Sequence, residues 1–169
     1  SKGEDTYWET VFFNEYDQNM LHDGLCRIYA LLKTAGDSEK LEHLAVNRID
    51  YCGNTPLLLS AQFANAEIME LLLDTNKAKV NRRNFHKKAP IHWLLINHEK
   101  YYGNEQNPLI QHKFSHDTVI RLIKRLRDKN ASMLIWDNKN QVPYDIYNNY
   151  LKRNLTANEQ QQLELVLKQ

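Results

Sequence analysis

The sequence predicts an all-α solenoid of about four helix pairs, stacked side by side and joined by hairpin-like turns. Three observations carry that expectation. A turn, a proline and a helical stretch recur in the same order three times. Ile68, Met69, Leu71, Leu72 and Leu73 give one predicted helix an apolar face too wide for a surface helix. With five glycines and four prolines in 169 residues, the chain also lacks the dense turns of a sandwich or barrel.

The first copy of the pattern reads Asp50-Tyr51-Cys52-Gly53-Asn54-Thr55-Pro56-Leu57. Asp50 can bond its own backbone in a tight turn, and Gly53 tolerates positive φ there. Thr55 suits an N-cap, and Pro56 suits the first helical position, where its missing N–H is no loss. Leu57, Leu58, Leu59 and Ala61 then predict a short buried helix. Asn65-Ala66 leads to a second helix with Ile68, Met69, Leu71, Leu72 and Leu73 inward, and Val80-Asn81 closes the unit. The second copy runs Asn84-Phe85-His86-Lys87-Lys88-Ala89-Pro90-Ile91-His92. A third runs from Asp137 through Asn140 to Pro143. In each, the proline stands six positions after the Asp or Asn that opens the turn. Upstream, Leu25, Ile28, Tyr29, Leu31 and Leu32, then Leu41, Leu44 and Ala45, predict a helix pair without the turn motif. Three or more such units suffice to bury a continuous core.

Residues 50–81 resemble the ankyrin repeat, whose pattern is turn-Gly-x-Thr-Pro-Leu-His followed by two antiparallel helices. Leu58 stands at the usual histidine and Ala64 at the usual glycine between the helices. The copy from 84 has Lys87 for glycine and Ala89 for threonine but keeps Pro90-Ile91-His92. The copy from 137 has Asn140 for glycine, which Asn tolerates, and Val142 for threonine. The units then fall at about 20–49, 50–83, 84–136 with an insertion at 99–116, and 137–169, after an N-terminal cap over 1–19. Asp145–Lys152 and Ala157–Lys168 are expected to form the last helix pair. The insertion, with Tyr101, Tyr102, Gly103, Pro108 and Phe114, reads as too polar for core. The chain begins without a methionine, which fits a piece cut from a longer protein.

Lysine plus arginine number 22 against 21 acids, a net charge of +1 that argues against a phosphate-binding or membrane-surface protein. No apolar run is long enough to span a bilayer, and two cysteines do not make a disulfide framework. No Gly-rich phosphate loop, Cys-x-x-Cys or His-Glu-x-x-His occurs, so no cofactor, metal site or enzyme activity is expected. His112 and His116 have helical metal-ligand spacing but straddle a loop-to-helix junction with no third ligand, and read as solvated loop residues. His92 takes the place of the ankyrin pattern's structural histidine. Cys52 and His86 sit at equivalent turn tips, with no third group to orient the imidazole. Cys26 reads as a small core residue. Arg121, Lys124, Arg125, Arg127 and Lys129 read as the solvated face of a helix whose other face is apolar.

The resemblance implies a protein-protein interaction module that holds a protein partner on the concave face, monomeric as a domain, with no nucleic acid and no membrane span. Carried over position by position, the contact residues are Tyr51, Cys52, Asn54, Gln62 and Phe63 in the second unit. The third unit gives Phe85, His86, Lys88, Ile96 and Asn97. The fourth gives Asn138, Lys139, Gln141, Asn149 and Tyr150. Tyr51, Phe63 and Phe85 weigh most, because aromatic side chains dominate interface hot spots. Trp136 is either a core plug or an exposed anchor. Asn81 resembles the asparagine that a host hydroxylase modifies in ankyrin repeats, a position also required by hairpin geometry. The frequent asparagines, degenerate repeats and long insertion resemble ankyrin-type effectors of intracellular bacteria, and imply a cytoplasmic location, within the host. The alternatives are a targeting domain of a larger enzyme and a small cysteine-dependent enzyme centred on Cys52 or the 99–116 loop.

Overall fold

A computed structural model describes residues 46, 47, 49, 50, 52–103, 105 and 112–168. The expected cap over 1–19, the helices of the first unit with Cys26, and Tyr51 lie outside the described residues. Three helix pairs follow one another in the rest. The first is α1 (Pro56–Gln62) with α2 (Ala66–Asp74), and the second is α3 (Pro90–Ile96) with α4 (His116–Asp128). The third begins with α5 (Pro143–Ile146), continues through a π-helical turn (Tyr147–Leu151) and a 3-10 turn (Lys152–Asn154), and ends with α6 (Ala157–Leu167). No strand occurs among the described residues.

The pairs stack in two layers. Each first helix packs on the next, α1 on α3 and α3 on α5, while α2 packs on α4 and α4 on α6. Within pairs, α1 meets α2, α3 meets α4 and α5 meets α6. The core runs continuously through the layers: Leu57, Leu59, Ile68, Leu72, Ile91, Leu94, Leu95, Leu122, Ile123, Leu126, Ile146 and Leu163 are all buried in one cluster. No pair could bury these faces alone, so each depends on its neighbours for its hydrophobic stabilisation.

Each first helix begins with proline at its first turn, and its N-terminus is capped by different chemistry each time. The Thr55 hydroxyl accepts from the Leu58 N–H at 3.2 Å. Ala89 has no such oxygen, so His92 Nδ1 reaches back to accept from the Ala89 N–H at 2.9 Å. Val142 lacks one too, and Asp145 Oδ2 accepts from its N–H at 3.1 Å. The bond to Nδ1 leaves the His92 proton on Nε2, which donates to the Ile135 carbonyl at 3.0 Å. His92 is thus structural, as its position implies, and burial lowers its pKa to about 4.

Three expectations need correction. The last unit does not open with a continuous α-helix over 145–152; after one turn the backbone widens, with Tyr147 and Leu151 both fully buried. The insertion is not wholly excluded from the core. Tyr101 and Phe114 are each 2% exposed, and Phe114 pairs with the end of α3 through Glu99 N–H to Phe114 carbonyl and Phe114 N–H to Asn97 carbonyl, both 2.8 Å. His116 is not solvated: its Nδ1 lies 3.0 Å from His98 Nε2, and both rings are buried. His112 is exposed.

Candidate functional site

The three turns are built on one plan. Asp50 Oδ1 accepts from the Cys52 and Asn54 N–H groups, both at 2.8 Å. Asn84 Oδ1 accepts from His86 and Lys88 at 3.0 and 2.9 Å, and Asp137 Oδ1 from Lys139 and Gln141 at 2.9 Å each. One side-chain oxygen thereby fixes the whole tip. The fourth residue of each turn takes positive φ: Gly53 at 77°, Lys87 at 59° and Asn140 at 57°. Neighbouring tips are then tied together. Asn84 Nδ2 donates to Asn54 Oδ1 at 3.0 Å, Lys88 Nζ to Asp137 Oδ2 at 3.1 Å, and Phe85 N–H to the Cys52 carbonyl at 2.8 Å.

Between the tips and the first helices lies an open groove of about 440 Å³. Its wall includes Cys52 and Asn54 from the first described turn, His86 and Lys88 from the second, and Asn138 and Lys139 from the third. Gln62 from α1 and Trp93 from α3 form its helical side, and Glu105 reaches in from the insertion. Residues 52–85 match the family model described as ankyrin repeat. This chain carries an ankyrin repeat. The turn geometry of that ankyrin repeat recurs at Asp137, where the fingerprint is most eroded. Among solved structures, the ankyrin repeat domain of Bcl-3, described as a unique member of the IkappaB protein family, is similar at 14% identity and a TM-score of 0.49. The likeness covers 86% of this chain and 50% of that one, so this chain spans half its length. No curated protein is a match.

Of the positions transferred from the ankyrin pattern, the structure brings Cys52, Asn54, Gln62, His86, Lys88, Asn138 and Lys139 to one groove. Phe85 stands at a tip with 68% of its surface exposed. Gln141 is half-buried, its Nε2 3.4 Å from the Tyr150 hydroxyl. Five positions are buried rather than available in the way the pattern implies. Phe63 and Ile96 are core residues. Asn97 is used within the stack, Nδ2 donating to the Ala61 and Gln62 carbonyls at 3.0 and 2.8 Å, which satisfies the end of α1. Asn54 and Lys88 line the groove while holding adjacent turns together. Asn149 is exposed but does not line the groove, and Tyr150 packs its ring 5.9 Å from that of Tyr101. Asn84, Trp93 and Glu105 are groove residues that the pattern did not supply. Glu105 in particular comes from outside the repeat, so no repeat-based transfer could find it.

The floor of the groove is an ion-pair network. Lys88 Nζ lies 3.1 Å from Asp137 and 3.0 Å from Glu105, and Lys139 Nζ lies 2.6 Å from Glu105. Burial pushes the Glu105 carboxyl up, but its two lysines outweigh that and hold it below its ordinary value. Asp137 behaves likewise: burial opposes ionisation, and the Gln141 N–H and Lys88 overcome it. Trp136 is 54% exposed and so is not a core plug, while its carbonyl accepts from Arg83 Nη1 at 3.0 Å.

Elsewhere the charged groups pair with one another across the exposed face of the second helices. Arg121 pairs with Glu70 at 2.8 Å, Arg125 with Asp74, and Lys129 with the Asn76 side chain, lacing α4 to α2. The Asn81 amide is engaged on both sides, donating to the Asn130 carbonyl at 3.2 Å and accepting from the Ser132 N–H at 2.8 Å. Among the described residues, no group of three or more His, Cys, Asp or Glu could hold a metal ion, and no helix is long and apolar enough to cross a membrane.

Proposed function

We propose that this chain is a non-catalytic recognition module that holds one protein partner in the concave groove. The observation that carries this reading is the convergence of Cys52, His86, Asn138 and Lys139, from three successive turns, on one open cleft beside the exposed ring of Phe85. Side chains that neither cap nor fill the core, gathered on a scaffold fixed by backbone hydrogen bonds, make a surface that binds without paying much ordering entropy. The ankyrin repeat at 52–85 supports the same reading, since such repeats serve as protein-binding modules. The frequent asparagines and eroded repeats favour an effector acting on a host protein in the host cytoplasm. The test is affinity capture from a host-type lysate with wild-type protein and with Phe85→Ala plus His86→Ala. Loss of a captured protein at unchanged helicity supports the groove; undiminished capture by the double variant counts against it.

A further inference from the structure

Resting on the reading of the groove as a protein-binding surface, we propose that Lys88 and Lys139 form a carboxylate-recognition site, filled in cis by Glu105, and that the partner docks an acidic group there in its place. Glu105 bridges the two ammonium groups as an ion pair, although its Oε2 is buried without a hydrogen-bond partner. Glu105 spans the two lysines with one oxygen each, Oε2 at 3.0 Å from Lys88 Nζ and Oε1 at 2.6 Å from Lys139 Nζ. Lys88 is preset for it, while Lys139 reaches in from a side chain 45% exposed. Lys88 has a side chain only 5% exposed and is held by Asp137 Oδ2 at 3.1 Å and Asn138 Oδ1 at 3.0 Å, so its ammonium is fixed before any ligand arrives.

The charge balance points to the same chemistry. Asp137 neutralises Lys88 from beneath, with its side chain fully buried. Lys139 is matched by Glu105. Removing Glu105 would leave two ammonium groups over a single carboxylate, a local charge of plus one that calls for an anion. A carboxylate places an oxygen beside each ammonium in the way Glu105 does. The occupant is therefore an aspartate or glutamate side chain, or a C-terminal carboxylate, of the partner. The cis carboxylate makes recognition selective, because a ligand must outcompete it and neutral sequences gain nothing by displacing it.

Random peptides displayed on phage, selected against wild-type protein and resynthesised as fluorescent C-terminal amides and free acids, provide the probe. Anisotropy titrations then compare wild type, Glu105→Gln and Lys139→Gln, with Phe85→Ala plus His86→Ala marking groove binders and circular dichroism confirming that each variant folds. The expected result is that groove binders carry an acidic group. Glu105→Gln should tighten them by about tenfold, Lys139→Gln should weaken them by about tenfold, and replacing the peptide's acid by its amide should erase both effects. Amide and free-acid forms distinguish a side-chain carboxylate from a C-terminal one. Groove binders that are neutral and indifferent to both substitutions would overturn the carboxylate site while leaving the groove as a binding surface. Peptide binding that never responds to the groove variants would overturn both.

Discussion

Lys88 Nζ and Asp137 Oδ2 stand 3.1 Å apart and join the fifth residue of one turn to the first residue of the next. Asn54 and Asn84 make the same connection one unit earlier, amide to amide, at 3.0 Å. The charged version is the more vulnerable, because both side chains are almost wholly removed from water. Lys88→Met should cost about 3 kcal/mol, since it strands the Asp137 carboxylate without its cation. Asp137→Asn should cost less, about 1–2 kcal/mol, because its Oδ1 still accepts the two turn N–H groups. Urea unfolding of both variants checks the order; a harmless Lys88→Met would show the pair contributes little.

A second tie runs along the far side of the stack. Asn47 donates to the Lys77 carbonyl at 2.7 Å and accepts from the Lys79 N–H at 2.8 Å. Asn81 does the same with Asn130 and Ser132. Each asparagine thus pins the loop of the next unit by two bonds. Asn81→Ala should lower stability by about 1–2 kcal/mol, and Asn47→Ala by a similar amount. Thermal melts followed by circular dichroism compare them. A null effect at Asn81 alone would mean that Asn130 and Ser132 find water instead.

Acid should loosen the stack from pH 6.5 downward, beginning before most carboxylates take a proton. Burial lowers His92 and His98 to about 4, against 6.5 for a free imidazole. Around His92 stand Asp137, Lys88 and Arg83; around His98 stand His116, Glu159 and Lys100. His98 Nδ1 accepts from the Lys100 N–H at 3.0 Å and Nε2 faces His116, so a second proton on His98 has no acceptor. The unfolded chain takes protons first as pH falls below 6.5. The stability from these neutral rings is therefore complete above 6.5, declines down to about 4, and then levels. Each ring contributes on the order of 3 kcal/mol to that slope. Denaturation midpoints measured across this window should fall with pH, and His98→Gln should flatten the dependence.

Much of this architecture could be read from the chain because the repeat is enforced by local chemistry. The Asp or Asn opening each turn and the proline six positions later act within a few residues, so Asp50, Asn84 and Asp137 declare their turns. Capping was legible at Thr55, where hydroxyl and helix are adjacent. It was less so at Ala89 and Val142, where His92 and Asp145 do the capping from inside the helix. Contact positions transferred less well. Phe63, Ile96 and Asn97 fall at the ends of first helices only two turns long, where neighbouring helices cover what a lone repeat would expose. Glu105 and His116 were out of reach, because their partners Lys88, Lys139, His98 and Gln162 come from other segments of the chain.

The turn tips offer the sharpest contrast between equivalent positions. Gly53 has φ of 77°, and a Cβ there would lie 2.8 Å from Phe85 Cδ1 and 3.0 Å from its backbone nitrogen. Lys87 holds the corresponding place at φ 59° with its side chain exposed. Gly53→Ala should therefore destabilise by about 1–2 kcal/mol from backbone strain, and more from the collision with Phe85. Trimming the ring with Phe85→Ala should recover only part of that loss, because the Phe85 nitrogen remains. Lys87→Gly should do the reverse, relieving the left-handed strain and stabilising by about 0.5–1 kcal/mol despite the added freedom of the unfolded chain. Chemical denaturation of the three variants tests the pair; opposite signs at Gly53 and Lys87 are the required outcome, and a destabilised Lys87→Gly would contradict it.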